Sequence, residues 1–347
     1  MRCFLPLFLV NATVCALSGT GLQSIIGHFT TDVSVVGELE KHFVPSDLDG
    51  HEICVFEKKL ESRPESCPKN TIILLHGRTW SAIPVFNLIY EGSDDKKKVH
   101  NLSTMDLLAK EGIDVYAVDF RGFGGTLRDS TGWLTPSKCV ADLKSVVDWL
   151  KKEKNISAPT ILGWSQGGLV AQLYAQKYPE SISGVILYAS IYDPKMIYPR
   201  QTFLSKLPEA PRRKTTVEQA IEDFTLPGSI SDESAFEFAA SALKSDPVKV
   251  DWTSLHEFNE AVPARITVPT LIIHGSDDPY LAKDSQNHLF SRISTFDKAY
   301  VQLPCADHCA HLIDSRFSFV HHVTSFLKRP TLGECYLKGE EGCKRKS

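Results

Sequence analysis

The sequence predicts an α/β protein, a doubly wound and mostly parallel sheet with a helical cap inserted ahead of a late strand. Three observations lead there. Short apolar segments run from His51 to Glu57, Thr71 to Leu75, Val115 to Val118, Thr160 to Leu162, Val185 to Tyr188, Thr270 to His274 and Tyr300 to Leu303, and from the third onward they alternate with helical periodicity. Strands that alternate with helices pair in parallel and are covered on both faces. A glycine-flanked serine, in Gly163-Trp164-Ser165-Gln166-Gly167-Gly168, stands between one of those strands and a helical stretch from Leu169 to Tyr178. The span from Tyr192 to Pro263 breaks the rhythm: its helix-like runs, Thr216 to Phe224, Asp232 to Leu243 and Trp252 to Ala261, are separated by Pro208-Glu-Ala-Pro, Leu226-Pro-Gly and Asp246-Pro, with no convincing strand.

The serine run has the form of a nucleophile elbow, a tight strand-to-helix turn whose backbone tolerates only small neighbours. That requirement accounts for Gly163, Gly167 and Gly168. Leu169, Val170, Leu173 and Tyr174 recur at helical spacing, and Tyr178-Pro179 stops the helix before the next strand. The following helix would aim its N-terminal amides at charge developing on an acyl group. Ser165 is the candidate nucleophile.

A serine hydroxyl is a weak nucleophile at neutral pH and needs a base to take its proton, with an acid to hold that base in the right tautomer. In the architecture that uses this elbow, the acid follows one late strand and the histidine the next. Thr270 to Gly275 is followed by Ser276-Asp277-Asp278-Pro279, and Ala299 to Leu303 by Pro304-Cys305-Ala306-Asp307-His308. Asp277 and Asp278 compete for the acid, since one of two adjacent turn carboxylates often only caps a helix or faces water. His311, one helical turn past His308, is the rival base.

Across roughly Asp47 to Lys328, these motifs resemble the α/β-hydrolase fold superfamily, serine esterases and lipases among them. The resemblance implies Asp278 as the acid, through Gly-x-x-Asp after Gly275, and His308 as the base. Ile72-Ile73-Leu74-Leu75-His76-Gly77-Arg78 resembles the strand and turn that supply an oxyanion-hole amide, here from Arg78, with the second from Gln166. Val115 to Gly124 resembles the strand and turn ahead of the helix leading to the elbow. His76 is expected to pack beneath the oxyanion loop, and Asp119 and Arg121 to form a structural turn pair. The Arg78 side chain has two readings, a contact to a substrate carboxylate or a solvent-facing cation whose amide alone is used.

Composition agrees. At 347 residues with 42% hydrophobic content, the chain is ample for one large α/β domain with a lid. A net charge of −4 argues against a nucleic-acid partner. Arg2 followed by an apolar stretch, Phe4 to Val10 and on to Leu17, with small residues at Ala16 and Ser18, reads as a secretory leader too short to span a bilayer. The expected organisation is a signal peptide over 1–18, core over 19–191, cap over 192–264, core over 265–328 and a polar tail over 329–347. Loss of the leader would remove Cys3 and Cys15 and leave Cys54, Cys67, Cys139, Cys305, Cys309, Cys335 and Cys343, an odd number. Cys335–Cys343 is the favoured disulfide, with Cys54–Cys67 next and Cys305–Cys309 a third option. Cys305-x-x-His308-Cys309 lacks a partner cluster at zinc spacing. Asn101-Leu-Ser and Asn155-Ile-Ser are glycosylation sequons.

The expected protein is a secreted serine hydrolase acting on a small-molecule ester or related acyl compound, with no metal or organic cofactor, no nucleic-acid partner and no stable membrane insertion. Acyl transfer by the same residues, or a binding protein that kept the fold, are the alternatives.

Overall fold

The computed structural model of the chain describes residues 35–62, 70–93, 97–200 and 208–330. Eight strands, β1 (Glu40–Pro45), β2 (Glu52–Lys58), β3 (Asn70–Leu75), β4 (Ile113–Val118), β5 (Thr160–Trp164), β6 (Gly184–Tyr188), β7 (Thr270–Gly275) and β8 (Lys298–Leu303), form one sheet in the order β1-β2-β4-β3-β5-β6-β7-β8. β2 runs antiparallel to β1 and β4, and every other pairing is parallel. The doubly wound sheet is therefore as expected.

Its centre is dictated by near-continuous apolar strands, which only burial on both faces can accommodate. Successive side chains alternate between the faces. Ile72, Leu74, Leu162 and Ile186 pack on one side, with residues of the helices α1 (Ala82–Phe86), α2 (Thr104–Lys110) and α8 (Arg316–Lys328). Ile73, Leu75, Ile161 and Leu187 pack on the other, with α3 (Pro136–Glu153), α4 (Gln166–Lys177) and α7 (Ser285–Arg292).

β1 was not among the expected strands. In Glu40-Lys41-His42-Phe43-Val44-Pro45 only Val44 is buried, so this edge strand carries no apolar signature. Between β6 and β7 lie the helices α5 (Val217–Ile221) and α6 (Asp232–Ser245). The expected helix from Trp252 to Ala261 is not formed. Asp251–Trp252 pairs in parallel with Trp133–Leu134, Ser254 takes a left-handed conformation (φ 54°), and only a 3-10 turn, Leu255–Glu260, follows.

Two expected disulfides are also corrected. Cys54 is a free thiol on β2 whose sulfur lies beside Gly125, and burial pushes its pKa up to about 12. Cys309 is likewise a buried free thiol. The expected Cys54–Cys67 and Cys305–Cys309 bridges are therefore not formed at Cys54 and Cys309, and Cys67 itself lies outside the described residues. The Cys335–Cys343 loop and the leader lie outside the described residues. Among the described residues, no helix is long and apolar enough to cross a membrane.

Glu57 on β2 anchors the sheet edge. Its buried carboxylate accepts from Lys154 Nζ at 2.6 Å, Lys59 Nζ at 2.7 Å and the Tyr116 hydroxyl at 3.0 Å. Burial alone would raise its pKa, but the lysine hydrogen bonds outweigh that and hold it down to about 2. A carboxylate whose folded pKa is depressed stabilises the fold above its unfolded pKa, and that contribution disappears as pH falls through the folded value. Glu57→Gln should therefore lower stability near pH 7, on the order of 3 kcal/mol. In denaturant unfolding at stepped pH, the gap to wild type should close between about pH 4.5 and pH 2; a gap independent of pH would contradict the assignment.

Candidate active site

Ser165 stands between β5 and α4 with φ 57° and ψ −120°, a conformation an L-residue holds only under outside support. Its amide donates to the Tyr188 carbonyl at 3.0 Å and its own carbonyl accepts from Gly168 at 3.0 Å. A Cβ on Gly163 would overlap the Gly167 carbonyl, one on Gly167 the His76 carbonyl, and one on Gly168 the Ser190 side chain. The glycines thus serve close backbone approach.

Asp278 follows β7 and His308 follows β8. Gly275 makes their meeting feasible, because a Cβ there would overlap the Ala306 backbone beneath the histidine loop. Asp278 Oδ2 lies 2.8 Å from His308 Nδ1, with the two side chains 1% and 4% exposed. This pairing leaves Nε2 as the free end of the imidazole. Trp164 and Tyr280 flank the ring at centroid distances of 5.1 and 5.0 Å. Asp277 points outward and accepts from Ser276 Oγ at 2.7 Å. His311 is fully buried, where desolvation pushes its pKa down to about 3, and it meets the Tyr188 hydroxyl.

Ser165 and His308 line one cavity of about 210 Å³, together with Arg78, Trp80, Asp223 and Tyr280. A larger hollow of about 470 Å³, beside Glu257 and Arg265, contains none of the candidate residues.

The Arg78 amide follows the His76-Gly77 turn. Buried His76 donates from Nδ1 to the Gly77 carbonyl at 2.9 Å and accepts the Phe120 amide at Nε2 at 3.1 Å; burial pushes its pKa down to about 4, so it braces the loop as a neutral ring. The Arg78 carbonyl accepts the Trp252 indole at 3.2 Å, while the Arg78 side chain is exposed. Two carboxylates secure the rest of this loop: Asp246 accepts from Ser81 and Gly124, each at 2.8 Å, and Asp119 from Ala82 at 2.8 Å and Gly125 at 2.7 Å. Gln166 is the first residue of α4, where an amide has no intrahelical acceptor. Both expected oxyanion amides therefore belong to braced segments beside Ser165.

Sequence reasoning placed a helical cap near the site but missed the carboxylates through which the cap joins it. Asp307, directly before His308, accepts the amides of Thr225 at 2.8 Å and Leu226 at 3.0 Å. This brings Glu222 and Asp223 to the cavity wall. Burial pushes the Asp223 carboxyl up to about 6, with His308 pulling the other way. No local pattern marks Asp223, because its place at the cavity depends on cap docking.

Asn155 is exposed with φ 57° after α3. Asn101, the last residue of a short strand (Val99–Asn101), is exposed, but its side-chain amide donates to Asp106 at 2.7 Å and its side-chain carbonyl accepts from the amide of Ser103, the N-cap of α2. Among the described residues, Glu40, His42 and Glu57 form the group nearest to a metal-ligand set, and Lys59 and Lys154 already supply Glu57 with positive charge.

Residues 101–314 match the profile of a hydrolase family described as serine aminopeptidase, S33. Protein ABHD12B of Homo sapiens is 28% identical over 156 residues, which are 43% of this chain and 36% of that protein, so the match spans about a third of the relative's length. Among solved structures, a serine hydrolase involved in carbazole degradation (CarC) superposes with TM-score 0.57 at 17% identity, covering 84% of this chain and 99% of its own. A thioesterase domain from the curacin biosynthetic pathway gives 0.55 at 16% identity, covering 84% and 100%. A thermophilic esterase from Thermogutta terrifontis gives 0.54 at 15% identity, covering 83% and 98%. These likenesses establish the fold.

The two adjacent carboxylates are separable by substitution. Asp278→Asn should lower kcat by about 10⁴, because an amide there favours the wrong imidazole tautomer. Asp277→Asn, at an exposed side chain, should cost under about tenfold; the reverse ranking in steady-state assays would show the acid misassigned. Asp223 gains its charge as pH rises through about 6 and then favours an imidazolium at His308. The kcat/KM profile of Asp223→Asn should therefore reach its plateau at lower pH than wild type, and a profile that superposes on wild type would contradict this.

Proposed function

The chain belongs to the α/β-hydrolase superfamily, within the family described as serine aminopeptidase, S33, and on that premise we propose that this hydrolase cleaves a carboxylic ester or related acyl bond of a small molecule through Ser165, His308 and Asp278. The observation that carries the reading is that His308, paired with Asp278, shares a cavity with a serine on a strained turn.

In this reading, Ser165 Oγ attacks the substrate carbonyl carbon as His308 Nε2 takes its proton. Asp278 holds the Nδ1 proton and stabilises the imidazolium. The amides of Arg78 and Gln166 receive the oxyanion, whose stabilisation in a water-poor site is commonly the largest catalytic contribution. Collapse breaks the bond to the leaving group, which departs with the proton from His308. Water, deprotonated by the same nitrogen, then releases the acid and restores Ser165. An alkoxide leaves more readily than an amine anion, so esters place the least demand on this machinery. The tight space beside Trp80, Trp164 and Tyr280 suits a compact acyl group.

We further propose that the protein follows the secretory route, on the strength of the apolar leader after Arg2 and the two sequons. Asn155 is the better placed glycan acceptor, because the Asn101 amide is engaged by Asp106.

Ser165→Ala should lower turnover of p-nitrophenyl esters by about 10⁴ to 10⁶ with unfolding unchanged, and a fluorophosphonate should label wild type at Ser165 alone. Retained turnover in the variant would refute the mechanism. Faster cleavage of aminoacyl anilides than of any ester in a chain-length series would refute the ester preference.

A further inference from the structure

Tyr188, the last residue of β6, is buried completely and touches both halves of the candidate machinery. Its main-chain carbonyl accepts the Ser165 amide at 3.0 Å. Its hydroxyl donates to the His308 carbonyl at 3.0 Å and accepts the His311 amide at 3.2 Å. A second donor reaches the same His308 carbonyl, the Trp164 indole N–H at 3.0 Å. Trp164 is the register partner of Tyr188 across β5 and β6 and directly precedes the nucleophile.

A carbonyl oxygen has two lone pairs, and here both have a donor, so the His308 peptide has little freedom to rotate. The two donors project from adjacent strands of a rigid sheet. Neither hydroxyl nor indole N–H reaches the reacting end of the imidazole, yet together they fix the histidine loop relative to the serine turn.

We propose that Tyr188, assisted by Trp164, is a positioning residue that sets the separation between nucleophile and base: its main chain holds one and its hydroxyl the other. The inference rests on the reading of Ser165 and His308 given above. Proximity effects are steep, and a displacement of about 1 Å from a remote change can reduce rate by about 10²-fold.

Tyr188→Phe keeps the ring and the main-chain bond to Ser165 and removes only the hydroxyl. It should lower kcat by about 10- to 100-fold at nearly constant KM. Rates are to be normalised to fluorophosphonate-titratable sites, so that misfolded protein does not count as lost catalysis. The proton resonance of the His308–Asp278 hydrogen bond should shift or broaden, which a general loss of stability would not produce in the folded fraction. Trp164→Phe removes the other donor and should act in the same direction, with the double variant losing less than the sum of the two because both act on one carbonyl. Unchanged normalised kcat with an unmoved resonance, or a loss expressed wholly in KM, overturns the proposal. If Ser165→Ala is inactive while Tyr188→Phe is normal, this inference alone fails; if Ser165→Ala is active, the reading beneath it fails first.

Discussion

Ser165 holds a positive φ that an L-residue resists by about 1 to 3 kcal/mol, and the surrounding structure supplies the support. Main-chain bonds to Tyr188 and Gly168 hold it, and the carbonyls of His76 and Gly167 come so near that only glycine fits opposite them. That crowding requires three strands, β3, β5 and β6, to end at matching heights, which their parallel registers provide. The apolar interior on both faces of the sheet is what stabilises the serine turn.

Buried carboxylates tie the loops around the site through backbone amides. Asp307 takes two amides of the cap, Asp246 two of the core loops, and Asp119 another two. Such charge-assisted bonds are short and directional, so they fix loops where no regular structure could. Burial opposes them, raising Asp119 to about 7 and Asp246 to about 6. These groups favour the fold more strongly as pH falls from about 7 toward 4, opposite in sign to Glu57, because the folded state then binds more protons than the unfolded chain.

The sheet centre was legible because its strands are uniformly apolar and its elbow glycines have a steric cause that local sequence reveals. Ser165, Asp278 and His308 were nameable for the same reason, each lying just past a strand end. β1 was not, since an edge strand with one buried residue has no hydrophobic period. The span after Trp252 read as helix because its composition permits one; the left-handed Ser254 and the pairing with Trp133 are decided by tertiary contacts. Asp223, Asp307 and Tyr188 are brought to the site by partners distant in sequence, and nothing in their immediate neighbours marks them. Cys54 read as half of a bridge because it and Cys67 flank a probable hairpin, whereas β2 is covered on both faces and Cys54 stands in the core as a free thiol.

Asp246 has a consequence for how proteins of this architecture diversify. By sequence it closes α6 and belongs to the inserted segment, but its oxygens serve Ser81 and Gly124 of the core. Excising or exchanging the insertion would orphan two amides, each at about 1 to 3 kcal/mol, beside the loop that carries Arg78. The insertion is therefore not a module that recombination can swap freely. New specificities would arise most readily by drift at and around Glu222 and Asp223, which line the cavity, with the anchoring end of α6 inherited unchanged.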